Sequence, residues 1–183
     1  MQLERLKSFG DVLVGGSGDL SDLQYVFDEI TALRVREFTH DDGHALTAKE
    51  LWSYLTRVLY SRRNSGDPLY VQLVVADAAF LALVDLHGTC FEDETLATGF
   101  GAHLARPILR NAAKDGHAHE LSKEAARSVL EDCMRVLFYR DCKTINRIQF
   151  AEITKDGAHV AAPVELSTAW EVGNRPADRQ GSW

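Results

Sequence analysis

Cysteine is scarce in this chain of 183 residues. The three present, Cys90, Cys133 and Cys142, are odd in number and show no C-x-x-C spacing, which argues against a disulfide framework and for reduced thiols in a cytosolic or nuclear protein. Long apolar runs are absent as well. None approaches the roughly 20 residues that a membrane-spanning helix needs, and the opening MQLERLKSFG has no apolar core like that of a secretory signal. Positive charge is in deficit: the formal net charge is −7, against the basic face that nucleic-acid binding requires. Arg57, Arg62 and Arg63 do cluster, and read as the solvated end of a helix. These absences together predict a soluble intracellular domain with no membrane and no nucleic-acid partner.

Catalytic signatures are equally sparse. There is no G-x-S-x-G elbow, no H-E-x-x-H, and no cysteine in a local catalytic context. His40 and His44 flank Asp41-Asp42, and His117-Ala118-His119 puts two imidazoles side by side. Both sets fall in glycine-bearing polar loops without a completed ligand set, so they read as solvated loop residues, and neither a metal nor a cofactor is expected.

What is present is an ordinary globular composition, 45% hydrophobic and 26% charged, in a length that predicts one domain with a real core. Leu3 to Val14 reads as two strands joined at Gly10-Asp11. Leu23, Val26, Phe27, Ile30 and Leu33 recur at helical spacing, and that helix is expected to end before the polar FTHDDGHALT. Thr47 and Glu50 have the spacing of a capping box, opening a second helix with Leu51, Leu55, Val58 and Leu59 inward. Leu69–Ala76 and Phe80–Leu86 alternate little, as strands covered on both faces do. A third helix is expected over Gly101–Ala113 with Pro107 in its first turns, and Ser122 caps a fourth. Arg147–Thr154 and His159–Ala161 read as strands around Asp156-Gly157. From Leu166 onward the chain is polar and irregular. Two pairs of consecutive helices do not fit the alternation of a doubly wound sheet; they predict sheets sandwiched between helical layers.

DVLVGGSGDLSD, Asp11 to Asp22, has the strand, glycine turn and helix order of a dinucleotide site. The third glycine of that fingerprint falls at Ser21, however, and Asp19 and Asp22 would repel a phosphate at the helix start while capping the helix itself. The glycines therefore serve the fold.

Four longer stretches, SGDLSDLQYV, LWSYLTRVLYSRRNSGDPLY, FLALVDLHGTCFEDETLATGFGAHLARPILR and CMRVLFYRDCKTINRIQFAEITKDG, carry a more specific signal. In that order they resemble beta-type subunits of the 20S proteasome, above all the non-catalytic type-4 kind that takes the seventh beta position of the ring. The signature features are YSRR (Tyr60 to Arg63), LATGFGAHLA (Leu96 to Ala105) and RVLFYRD (Arg135 to Asp141), and the likeness extends to about Pro163. It implies an α/β (α+β) four-layer α-β-β-α sandwich of the N-terminal nucleophile hydrolase type. In that fold Gly15, Gly16 and Gly18 would let a sheet strand turn sharply into the first helix. Residues 1–165 would form the proteasome-type domain and 166–183 a C-terminal tail. Compared with the family, the turn at Asp77-Ala78-Ala79 is short.

Active members of that family cut peptides with an N-terminal threonine whose own amine assists its hydroxyl. The resemblance places the family's first strands, with that threonine, ahead of Met1. Losing them would expose a sheet edge, so the expectation is that such segments precede Met1 in the whole protein. The family's G-S-G-S turn stands here as Gly99-Phe100-Gly101-Ala102, with Phe100 and Ala102 in place of the serines. Its R-D-x-x-S-G motif stands as Arg140 to Ile145, keeping Asp141, offering Thr144 for the serine and losing the glycine to Ile145. The lysine motif survives as Arg5 to Phe9, with Arg5 where lysine belongs, or Glu4 one residue away. Arginine stays protonated and cannot be tuned as lysine can.

Phe100, Asp141 and Thr144 are thus expected to mark a vestigial pocket, and no residue of the chain is expected to be catalytic. The implied role is a structural subunit of the core particle, in the cytoplasm and nucleus. It would join alpha and beta subunits in a stacked four-ring particle, with the tail reaching the opposite beta ring through Trp170, Arg175 and Trp183. The alternative is an active threonine hydrolase whose nucleophile lies upstream; a binding module outside any ring is a third reading.

Overall fold

The computed structural model describes residues 4–40, 43–113 and 118–169. Strand β1 (Leu6–Phe9) turns at Gly10-Asp11 into β2 (Val12–Gly18). Gly10 takes φ +68°, which lets two residues reverse the chain with Phe9 opposite Val12. Helices α1 (Leu20–His40) and α2 (Ala48–Asn64) follow as a pair before β3 (Val71–Ala76), β4 (Leu81–Val84) and β5 (Cys90–Glu92). The five strands form one antiparallel sheet in the order β1-β2-β3-β4-β5.

One face of this sheet, carrying Val12, Val14, Val71, Leu73, Val75 and Val84, is buried against Leu23, Val26, Phe27 and Ile30 of α1 and Leu51, Leu55 and Leu59 of α2. The helical period of 3.6 and the strand period of 2 present their apolar residues to the same space, and removing this area from water holds the layers together. The second helix opens on its capping box: Glu50 N–H donates to Thr47 Oγ1 at 3.3 Å and Thr47 N–H to Glu50 Oε2 at 2.9 Å.

A second helix pair, α3 (Gly101–Ala113) and α4 (Lys123–Arg140), lies on the opposite side. A short 3-10 turn, Ala118–Glu120, precedes α4, whose N-cap Ser122 accepts from Ala125 N–H. Close approach of the pair rests on small residues, with Ala105 and Cys133 buried between them. The chain then gives β6 (Arg147–Ile148), β7 (Ala151–Thr154), β8 (Gly157–Val160) and β9 (Val164–Glu165). β7 pairs with β8 and β6 with β9, all antiparallel. The β7–β8 hairpin lies against β1 and β2. On its other side Arg127 of α4 stacks over Phe150 at 4.3 Å, and Lys123 pairs with Glu152. The layers are therefore α1–α2, the five-stranded sheet, the two short ribbons, and α3–α4.

Several expectations change in detail. Helix α1 continues to His40 rather than stopping before Phe38, because Thr39 bonds back to the Val35 and Arg36 carbonyls and Arg34 pairs with Glu37 within the last turns. Pro107 is the seventh residue of α3, in its second turn as expected but past the first-turn position that needs no hydrogen bond, on an exposed face where water can take the freed His103 carbonyl. The strand expected over Arg147–Thr154 is broken at Gln149-Phe150, where Ala161 pairs with both residues and Phe150 turns under Arg127. β5 and β9, three and two residues long, had no periodic signal at all.

Of the three glycines in the opening stretch, only Gly18 (φ +106°) makes the turn; a Cβ there would meet the Tyr70 carbonyl oxygen at 2.1 Å. Gly15 and Gly16 stay within β2, where side chains would strike Leu6 and Leu23 at 2.7 and 2.4 Å. Their smallness lets α1 and β1 come close; they turn nothing.

Candidate functional site

The end of β2, the start of β3, the start of α3 and the end of α4 meet at one end of the sandwich. Asp19 caps α1 there, its Oδ1 accepting from Ser21 N–H at 2.8 Å and Asp22 N–H at 3.1 Å. Just ahead of β1, Arg5 sends Nη1 to the Gly18 carbonyl at 3.2 Å. The loop into α3 is pinned to β3 by Gly99 N–H donating to Gln72 Oε1 at 2.8 Å, and Gly99 faces the Ser17 side chain. Gln72 and Ser17 escaped the sequence reading; the one available signal was a lone amide inside the apolar strand VQLVVA.

Phe100 follows immediately. It is half exposed, at 50%, and its ring meets His103 edge-on with centroids 6.3 Å apart. Gly101 then packs beside Leu137 of α4, so the C-terminal end of α4 is carried to the same end of the molecule. That helix stops at Asp141, whose carboxylate accepts from Thr144 Oγ1 at 2.9 Å and Lys143 N–H at 3.1 Å, while Thr144 N–H returns to the Asp141 carbonyl. The four residues Asp141 to Thr144 are a closed turn. Ile145 projects beyond it, 65% exposed.

Thr144 thus spends its hydroxyl proton on Asp141, and the aromatic ring of Phe100 offers neither donor nor acceptor where it stands. Lys7 lies elsewhere, its ammonium over Phe9 and Phe27 and bonded to Thr31. The arrangement holds loops and carries a fixed Asp–Thr turn. Burial, followed by the nearby Asp132 carboxylate, pushes the Cys133 thiol up, so it stays protonated between α3 and α4. Among the described residues no group of three histidines, cysteines or carboxylates is placed to hold a metal ion. Trp170, Arg175 and Trp183 lie outside the described residues, as does His117.

Helix pairs enclosing two sheet layers, with this end built from a glycine turn and an Asp–Thr turn, define an α/β sandwich of the N-terminal nucleophile hydrolase type. The family model described as Proteasome subunit matches residues 8–153. The chain is 44% identical over 189 aligned positions to proteasome subunit beta type-4 of Arabidopsis thaliana, spanning 99% of this chain and 75% of that protein. It is 40% identical to proteasome subunit beta type-4 of Dictyostelium discoideum, over 93% of this chain and 67% of the relative. The probable proteasome subunit beta type-7 of Schizosaccharomyces pombe is 41% identical over 92% of this chain and 67% of its own length. The chain belongs to the proteasome subunit family, among the beta subunits of the core particle.

Proposed function

We propose that this chain is a structural, non-catalytic beta subunit. It fills a place in the beta ring, contributes to the wall of the proteolytic chamber, and assembles there with other alpha and beta subunits in a stacked four-ring particle. Its work is done within ATP- and ubiquitin-dependent protein degradation, in the cytoplasm and nucleus. Residues 1–165 form the body in this reading. Residues 166–183 form an arm to the opposite beta ring, with Trp170, Arg175 and Trp183 as its anchors.

The observation that carries the reading is the replaced chemistry at one end of the sandwich. Phe100 occupies a motif position where active relatives need a serine, and the Thr144 hydroxyl is committed to Asp141. An N-terminal-threonine mechanism needs a tunable amine beside its nucleophile, and Arg5, held on the Gly18 carbonyl, is a guanidinium where the family's lysine motif has its amine. Support for the arm comes from its root: Leu166 is buried, Arg135 Nε donates to the Ser167 carbonyl, and Ala169 N–H donates to Tyr139 Oη at 2.7 Å. Truncation after Leu166 should slow the joining of half-particles while leaving the fold intact, read by native gel of the assembling particle; unchanged joining would remove the arm's role. The catalytic question is tested with a threonine-directed covalent probe on the intact particle. Other beta subunits should take the label and this chain should not; labelled protein of this chain's mass would restore the hydrolase reading.

A further inference from the structure

The same end of the α1–α2 pair carries an unusual concentration of exposed tyrosine and arginine. Tyr25 on α1, Tyr60 on α2 and Tyr70 ahead of β3 are 43, 50 and 61% exposed. The Arg62 guanidinium lies 5.6 Å from the Tyr25 ring centre, and that of Arg63 lies 5.8 Å from Tyr60. These are not loose side chains on a fraying helix end. Asp22 of α1 accepts Tyr70 N–H at 2.8 Å, Asp19 N–H donates to the Tyr70 carbonyl at 2.8 Å, and Arg62 pairs with Asp67 at 2.9 Å. Tyr60 packs against Gly88, where a Cβ would come within 2.9 Å of it. The surface is thus held in shape before any partner arrives, which lowers the ordering cost of binding.

Its charge is also out of keeping with a chain of net −7. Of the carboxylates on this surface, Asp67 pairs with Arg62, while Asp22 and Asp19 are taken up by backbone N–H groups. Arg63 donates to the neutral Asn64 oxygen, and neither it nor Arg57 has a carboxylate partner among the described residues. Arg57, Tyr60 and Arg63 follow one another at intervals of three on α2. Stacked guanidiniums and rigid tyrosines are the residue types that carry binding energy at protein interfaces, and unpaired arginines ask for carboxylates.

We propose that this surface docks a carboxylate-bearing segment of a neighbouring subunit of the ring. Tyr25 and Tyr70 supply apolar contact, and Arg57 and Arg63 receive the acidic side chains. The proposal rests on the reading of the chain as a ring subunit. It replaces the view of these arginines as merely the solvated end of a helix.

The test uses the full chain in its particle. Arg57→Glu/Arg63→Glu should melt as the unchanged protein does yet enter the particle about tenfold less efficiently, whereas Arg57→Lys/Arg63→Lys should enter it nearly normally. A photo-crosslinking amino acid placed at Tyr70 should give an adduct with one peptide of an adjacent subunit, rich in Asp or Glu, and the glutamate pair should abolish that adduct. Normal incorporation of the glutamate pair, or a Tyr70 adduct with a peptide lacking carboxylates, would overturn the proposal while leaving the ring-subunit reading in place. Failure of the unchanged chain to enter any particle would remove both.

Discussion

At the scale of single residues, position rather than composition decides what each group does. Cys90 and Cys142 are exposed, while Cys133 is buried and its thiol raised. In the folded chain an alkylating reagent should therefore modify Cys90 and Cys142 well before Cys133, as peptide mass mapping over time would read; early loss of Cys133 would mean that α3 and α4 do not pack as described. Gly18 and Gly16 stand two positions apart in the same glycine-rich stretch, yet one supplies a positive φ and the other an absent side chain. Gly18→Ala should cost more than about 1 kcal/mol, since an alanine is strained there and its Cβ would meet the Tyr70 oxygen; chemical unfolding would measure it. Sequence showed that the glycines served the fold, because Asp19 and Asp22 spoiled a phosphate site. It could not show that Gly16 lies under Leu23, because that contact depends on how the finished helix sits on the sheet. Asp141 and Thr144 were singled out only by the family resemblance, whereas Gln72, which pins the Gly99 loop from 27 residues away, belonged to no motif.

At the scale of elements, what was legible follows from locality. Helices α1, α2 and α4 announce themselves through periodic leucines, valines and caps, all of which are local properties. Short strands such as β5 and β9 exist only because β4 and β6 are there to pair with them, and no window of sequence contains that information. The α1–α2 connection depends on a similar nonlocal clamp. Arg34 donates to the carbonyls of Phe9 and Leu46 and to Glu37, which also accepts the Leu46 N–H.

Burial pushes the Glu37 carboxyl up, but hydrogen bonds from Arg34 and Leu46, with the attraction of Arg34 and His44, outweigh it and hold the group below its ordinary value of 4.5. A lowered folded-state value means that the stabilisation is present above 4.5 and is lost as pH falls through the folded value. Glu37→Gln should therefore lower stability at neutral pH and flatten the acid limb of the stability curve; an unchanged acid limb would show that the clamp does not form. The layer itself is tested at Leu55, fully buried between α2 and the sheet. Leu55→Ala should cost about 2–5 kcal/mol.

At the scale of the molecule, the chain combines the architecture of a proteasome beta subunit with an end that carries the Gly99 loop and the Asp141–Thr144 turn. Two helix pairs around a sheet pair were predictable from element order alone, since consecutive amphipathic helices must share a face. The discontinuous second layer was not, because β6 and β7 part company only where Phe150 meets Arg127 of α4. Two surface features stand out among the described residues: arginines lying over tyrosines at one end, and the bond from Ala169 N–H to Tyr139 Oη.

The central claim is that this chain assembles without cutting. The most direct measurement is the intact mass and mature N-terminal residue of the chain within the purified particle, before and after a threonine-directed covalent probe. The account predicts an N-terminal residue other than threonine and a mass unchanged by the probe, in a particle whose active subunits are labelled. A free N-terminal threonine whose mass rises by one probe adduct would contradict it.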